Sequence, residues 1–223
     1  MNWPTKILNI FKREISVTKL LYIKASPRPD SKSVAIADAY LEALKAKNPS
    51  LDVDVIDVWQ ESLPEFDGNK VNAKIAIFTG QAHDAVQKTA WDEISGIANR
   101  FAAADHYLFA VPMWNGGIPY PLKHYIDIIH QPGILFGLVP ETGYFGLLKD
   151  KKATVVLTSG AFSPAAPSPA YGVDHHSAYL SSWLNQAGVT DIEEIRFQPT
   201  LLTGDPEGDF AKVVATAKAA GAH

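Results

Sequence analysis

The sequence predicts an α/β domain: a doubly wound, five-stranded parallel sheet with helices on both faces. Two observations carry this. Short apolar, strand-like runs alternate with stretches of helical periodicity about five times along the chain. No repeat, low-complexity tract or linker interrupts the 223 residues, which suffice for one sizeable core.

The elements follow in order. LLYIKA (20–25) is an apolar run closed by Ser26-Pro27-Arg28-Pro29, the pattern of a buried strand. Val34, Ala37, Tyr40, Leu41 and Leu44 recur at three and four, so 33–47 reads as a helix stopped by Asn48-Pro49. DVDVIDVW (52–59) alternates acidic and apolar residues, as a strand near a sheet edge does. Residues 71–103 read as largely helical, and HYLFAVP (106–112) is the most strand-like run, expected at the sheet centre. A helix over 119–130 follows. FGLV and GYFGLL then flank Pro140-Glu141-Thr142-Gly143 as a hairpin within 131–150. ATVVLTS (153–159) is another buried strand; after a Pro/Ser/Ala stretch (162–171), helix 175–187, strand 192–197 and helix 208–220 close the chain. Residues 1–18 precede this pattern as an N-terminal arm, with Ile7, Leu8, Ile10, Phe11 and Ile15 spaced as in a short amphipathic helix, and 19–223 form the domain.

Composition narrows the function. A net charge of −4 offers no basic surplus for a polyanion, so nucleic acid is not an expected partner. Zero cysteines exclude a disulfide framework, a thiol nucleophile and a thiolate metal site, and fit a reducing, cytoplasmic setting. No apolar run reaches the ~18–20 residues of a membrane span. The opening MNWPTKILNIFKREIS does not read as a secretion signal, because Asn9, Lys12, Arg13 and Glu14 break its apolar patch. His124 and His130 are six apart on one helix, which is not ligand spacing, and no metal site is expected.

Five strands favour the shorter, flavodoxin-like strand order, in which ligands bind at the carboxyl ends of the strands near the point where the order reverses. Three loops lie there: 26–33, 112–119 and 158–175. In the first, Ser26, Arg28, Ser31, Lys32 and Ser33 precede a helix whose free amides and dipole favour an anion. Neither G-x-x-x-x-G-K-S/T nor G-x-G-x-x-G is present, so a mononucleotide phosphate fits better than a triphosphate or dinucleotide. Helix capping accounts for one of these serines, not three. In the second, PMWNGG, Gly116 and Gly117 permit positive φ, Met113 and Trp114 offer surface to a heteroaromatic ring, and Asn115 can bond a ring edge. A tight turn with Met113 and Trp114 in the core is the other reading. In the third, Thr158, Ser159, Gly160 and Ala161 present small side chains and amides to a polar ring edge, and 164–171 reads as a plain surface loop.

SPRPDSKS, PMWNGGIPYPLKHYID and TSGA together resemble the FMN-dependent NADH-azoreductases, a flavodoxin-like family that also contains NAD(P)H quinone reductases, over about residues 19–220. The resemblance implies a homodimer with FMN at the subunit interface. It further implies NADH or NADPH as co-substrate and two-electron, ping-pong transfer through flavin N5 to quinones or azo compounds. By position, Ser26, Ser31, Lys32 and Ser33 hold the FMN phosphate with Arg28 nearby; Pro112, Met113, Trp114, Asn115 and Gly116 line the isoalloxazine; Ser159 and Gly160 meet its pyrimidine edge. Gly116 stands where the family often has an aromatic, and TSGA replaces S-R-G-G, which removes a cation near the ring. No side chain is an expected catalytic acid: His175, His176 and Tyr144 are candidates, with solvent preferred as the proton source. Residues 136–148 line the acceptor pocket or the dimer interface, or simply pack on the core.

Two other classes remain. A flavin-binding regulatory or ancillary subunit would keep the same loops without turnover. A hydrolase or kinase on an open α/β sheet would need a G-x-S-x-G elbow or a phosphate-binding lysine loop, and neither motif is present.

Overall fold

The computed structural model describes residues 18–165 and 169–223, so the expected arm lies outside the described residues except for Thr18. The elements are β1 (Lys19–Lys24), α1 (Lys32–Lys47), β2 (Asp52–Asp57), α2 (Gly68–Phe78), α3 (Ala85–Ala102), β3 (His106–Pro112), α4 (Tyr120–Ile129), β4 (Phe136–Val139), β5 (Gly143–Gly146), β6 (Lys152–Thr158), α5 (Ser177–Ala187), β7 (Asp191–Phe197) and α6 (Pro206–Gly221).

Five strands form one parallel sheet in the order β2-β1-β3-β6-β7, the flavodoxin-like order. Strand side chains alternate between two apolar layers. Leu21, Ile23, Tyr107, Phe109 and Val111 face one, with Ile94 and Phe101 of α3, Leu122 and Tyr125 of α4, and Leu180 and Trp183 of α5. Leu20, Tyr22, Leu108 and Ala110 face the other, with Ile36, Ala37 and Tyr40 of α1 and Ala217 of α6. Every residue of β3 except Pro112 is buried, as a central strand with a covered face on each side requires. At the edge, β2 intersperses acids with apolar residues, with Asp52 and Val55 exposed and Ile56 buried, and Arg100 of α3 pairs with Asp54 at 2.7 Å.

The helical stretch over 71–103 is two helices. Gly80 at φ +66 ends α2 in a Schellman arrangement, with Gln81 N donating to Ala76 O at 2.8 Å and Gly80 N to Ile77 O at 3.2 Å. Asp84 then opens α3 in a reciprocal capping box with Gln87. Both signals, Thr-Gly and Asp-x-x-Gln, stand in the sequence. β4 and β5 form the expected antiparallel hairpin outside the main sheet. It is bolted backbone to backbone onto the end of α5: Leu148 N donates to Ala187 O at 3.0 Å, and a Cβ on Gly146 would lie 2.1 Å from Gly188 N. No helix among the described residues is long and apolar enough to cross a membrane.

Candidate functional site

β1, β3 and β6 are neighbours in the sheet, so the loops that leave their carboxyl ends share one rim. The first loop begins where Ala25 N extends the ladder to Ala110 O at 3.0 Å. Ser31 caps α1, accepting from Val34 N at 3.5 Å, and its hydroxyl shares a 3.0 Å hydrogen bond with that of Ser33. Ser26, Ser31 and Ser33 are all buried. The amides of Lys32 and Ser33, in the first turn, meet no acceptor among the described residues, and no acidic side chain stands in that turn. Two bonded hydroxyls and two open amides therefore meet at the positive end of a sixteen-residue helix, and Ser26 is buried at the start of the same loop. The two cations of this loop are differently engaged. Arg28 is exposed and forks onto Asp30, with Nη2 to Oδ2 at 2.7 Å, while the Lys32 ammonium lies 5.1 Å above the Phe197 ring and 5.3 Å above Phe210.

The second loop is a hairpin turn in miniature. Trp114 and Gly117 exchange two backbone hydrogen bonds of 2.9 Å, and the central pair Asn115 and Gly116 have φ of 49° and 82°, the signs a type I′ turn requires. The expected positive φ thus falls on Gly116 and on Asn115, not on Gly117. Met113 N donates to Thr158 O at 2.7 Å, which ties this loop to the third. Met113 is half-buried and Trp114 is 37% exposed, so neither is absorbed into the core. The Trp114 ring leans on Trp59 at 5.4 Å, and Trp59 in turn meets Tyr120 edge-on at 5.3 Å. Pro119 serves as the N-cap of α4, with Pro121 in its first turn.

In the third loop the Ser159 amide extends the ladder to Phe197 O at 3.4 Å, and the carbonyls of Ser159 and Gly160 are occupied. Ser159 O accepts from Thr200 N and Gly160 O from Leu201 N, whereas the amides of Gly160 and Ala161 meet no acceptor among the described residues. Ser159 Oγ donates to Phe162 O at 2.5 Å. The chain returns to the rim at Val173–Asp174–His175, where His175 N donates to Gly116 O at 3.0 Å. Asp174 fixes this return: its carboxylate accepts from His176 N at 3.0 Å and Ser177 N at 2.8 Å, and Arg196 Nη1 approaches at 3.4 Å. Burial raises the Asp174 carboxyl, but the Ser177 and His176 hydrogen bonds and the Arg196 charge together hold it below the usual carboxylate range.

The proton-donor candidates separate. His176 is fully buried, and burial pushes its imidazole down to about 4. His175 is exposed beside Gly116, on a mostly apolar groove of about 500 Å³ lined by Gly117, Ile118, Tyr120, Lys123, Ala178 and Tyr179. Tyr144 lies on the β4–β5 hairpin against Phe136. Trp59 escaped the sequence reading; its signal was an aromatic two residues past the carboxyl end of β2, the strand that neighbours β1.

The family model for the flavodoxin-like fold matches residues 18–220. The chain belongs to the flavodoxin-like fold family. Within it, a curated relative from Ruegeria pomeroyi named FMN-dependent NADH:quinone oxidoreductase is 51% identical over 205 residues, covering 92% of this chain and all of the relative. A relative of the same name from Desulfotalea psychrophila is 39% identical over 91% of this chain and 93% of its own. Among solved structures, an azoreductase from Bacillus anthracis superposes with a TM-score of 0.82 at 27% identity, covering 92% of this chain and 99% of that one. An FMN-dependent NADH-azoreductase from Bacillus anthracis in complex with FMN superposes at 0.80 with 25% identity, covering 92% and 97%.

Proposed function

We propose that this protein is an FMN-dependent NADH:quinone oxidoreductase that also reduces azo compounds, with NADH or NADPH as electron donor. The carrying observation is the rim: buried hydroxyls of Ser26, Ser31 and Ser33 around the open amides of Lys32 and Ser33 at one end, and the Trp114–Gly117 turn beside the open Gly160 and Ala161 amides at the other. Both parts suit FMN. A phosphate monoester needs several donors and a positive helix end, which the first loop offers. A flat ring needs close backbone approach and edge donors, which the Cβ-free Gly116 and the third-loop amides offer.

When bound, FMN supplies the redox chemistry, accepting two electrons from the nicotinamide and delivering them to the acceptor. The chain's part is to bind and orient. The serine cluster and the first-turn amides grip the phosphate. Asn115 and the amides of Gly160 and Ala161 bond the polar edge of the ring, where negative charge collects. Pro112, Met113 and Trp114 line the ring, and Thr158 holds the turn in place through Met113 N. With Trp114 covering part of the ring, one open face shared by donor and acceptor in turn would make the kinetics ping-pong. Of the candidate side chains His176 is closed off, and solvent is the proton source in this proposal.

The assembly is a homodimer in the same proposal. Val71, Ile75 and Phe78 of α2 and Leu138, Val139, Tyr144 and Phe145 of the hairpin are exposed apolar side chains, joined through the Phe78–Phe136 ring contact. A second copy of this chain suits that face. A cytoplasmic setting accompanies a nicotinamide-dependent enzyme without cysteine.

The deciding experiment is the visible spectrum of the purified protein with FMN, before and after anaerobic NADH. Bound flavin bands that bleach are the expected result. Bands that persist with both NADH and NADPH would favour the ancillary flavin-binding reading, and no bound flavin after reconstitution would remove both.

A further inference from the structure

Trp59 stands just past the end of β2, and three hydrogen bonds fix it. Val58 N donates to Lys24 O at 3.1 Å, Trp59 N to Asp57 Oδ1 at 3.0 Å, and the indole Nε1–H to Ala25 O at 3.1 Å. Ala25 directly precedes Ser26, so the indole is tied to the root of the serine loop. Its ring is half-buried and meets Trp114 at 5.4 Å, with a tilt of 50°. Trp114 has no such anchor: its indole N–H makes no hydrogen bond among the described residues, and Trp59 is its aromatic neighbour. A ring 37% exposed, on a two-residue turn, takes its rotamer from what it leans on.

We infer that Trp59 is a positioning residue for electron transfer. It fixes the Trp114 indole against the flavin ring and ties that wall to the phosphate grip through Ala25. The inference rests on the FMN reading above. It adds a residue from a fourth loop, on a strand that none of the three rim loops leaves. Trp59 touches neither phosphate nor ring in this scheme, so its loss should affect ring geometry more than FMN retention.

The test uses the full chain reconstituted with FMN, in wild type, Trp59→Phe and Trp59→Leu. Trp59→Phe keeps a ring against Trp114 and loses the Ala25 hydrogen bond; Trp59→Leu loses both. The expected results are FMN affinity within about threefold of wild type in both variants and an altered visible circular dichroism of the bound flavin. The limiting rate of flavin bleaching by NADH should fall about threefold in Trp59→Phe and about tenfold in Trp59→Leu. A packing role alone would lower the unfolding temperature and leave the flavin dichroism and that rate unchanged. Trp59→Phe decides the matter if Trp59→Leu does not fold: wild-type dichroism and rate in Trp59→Phe would overturn the inference. A folded Trp59→Leu as fast as wild type would overturn it too. Wild-type protein that binds no FMN would overturn the parent reading and this one together, whereas normal wild-type bleaching with unchanged variants overturns this one alone.

Discussion

The hydroxyls of Ser31 and Ser33 lie 3.0 Å apart at the buried start of α1 and bond each other. A hydrogen bond shared between two buried hydroxyls uses one of their two protons and leaves the other to be donated to an incoming oxyanion. Ser33→Ala removes the hydroxyl and adds no atom to a fully buried position. The expected result is FMN binding weakened about tenfold, or about 1.4 kcal/mol, with riboflavin binding unchanged because it lacks the phosphate. Fluorescence-quenching titrations with both ligands check this; equal weakening of the two would mean that Ser33 acts on the fold.

In the proposed site, Asn115→Asp would place a carboxylate beside the ring edge where negative charge collects, and should loosen FMN while sparing the turn, since Asp also tolerates positive φ. Gly116→Ala acts on the turn itself. The residue sits at φ +82, and a Cβ there would meet Val173 O at 3.3 Å. The expected cost is about 1–2 kcal/mol for the left-handed backbone, read as a drop of roughly 2–8 °C in unfolding temperature.

His176 and His106 are fully buried, and burial pushes their imidazoles down to about 4 and about 3. Unfolding returns each to its ordinary value near 6.5, so the unfolded chain binds more protons between these limits. The stability gained by keeping them neutral is complete above about 6.5 and drains away as the pH falls toward 4 and then 3. Urea unfolding at pH 7 and at pH 4.5 should differ by roughly 2–3 kcal/mol per histidine, and His176→Gln should remove its share of the slope.

Gly146→Ala forces a Cβ to within 2.1 Å of the Gly188 amide, a backbone atom that no rotamer change can move aside. Destabilisation of roughly 2 kcal/mol or more is expected, measured by denaturant unfolding.

Leu138→Lys together with Tyr144→Lys puts two charges on the exposed face of the hairpin. The homodimer proposed above predicts wild type sedimenting as a dimer and this variant shifted toward monomer, with a near-wild-type unfolding curve for the domain itself.

The sheet was legible because its signals are local: HYLFAVP became the central strand with the same limits, and the hairpin followed from Pro140-Glu141-Thr142-Gly143. The split between α2 and α3 was equally local, in Thr79-Gly80 and Asp84, but periodicity over a long window hid it. The serine loop and the Asn-Gly turn could be read as a site because hydroxyls and glycines carry backbone meaning at strand ends. What the sequence did not contain was orientation. Arg28 and Lys32 are adjacent to the serines in the chain, yet one turns to Asp30 and the other to rings of β7 and α6, partners distant or unmarked in the sequence. Trp59 was hidden for the same reason, because its contacts with Ala25, Trp114 and Tyr120 join three segments far apart in the chain.

The turn at 114–117 closes on its own backbone, through two reciprocal hydrogen bonds and the φ signs of Asn115 and Gly116. Its shape owes nothing to the identity of the side chain at 114. A lineage can therefore exchange that residue for another without rebuilding the loop beneath it, and test a new acceptor in a single mutational step. Asn115 and Gly116 carry the turn's left-handed φ values, so a change at either bears the cost of that backbone. Divergence in substrate range among descendants of this chain should thus accumulate first at 114, a pedestal with an interchangeable figure.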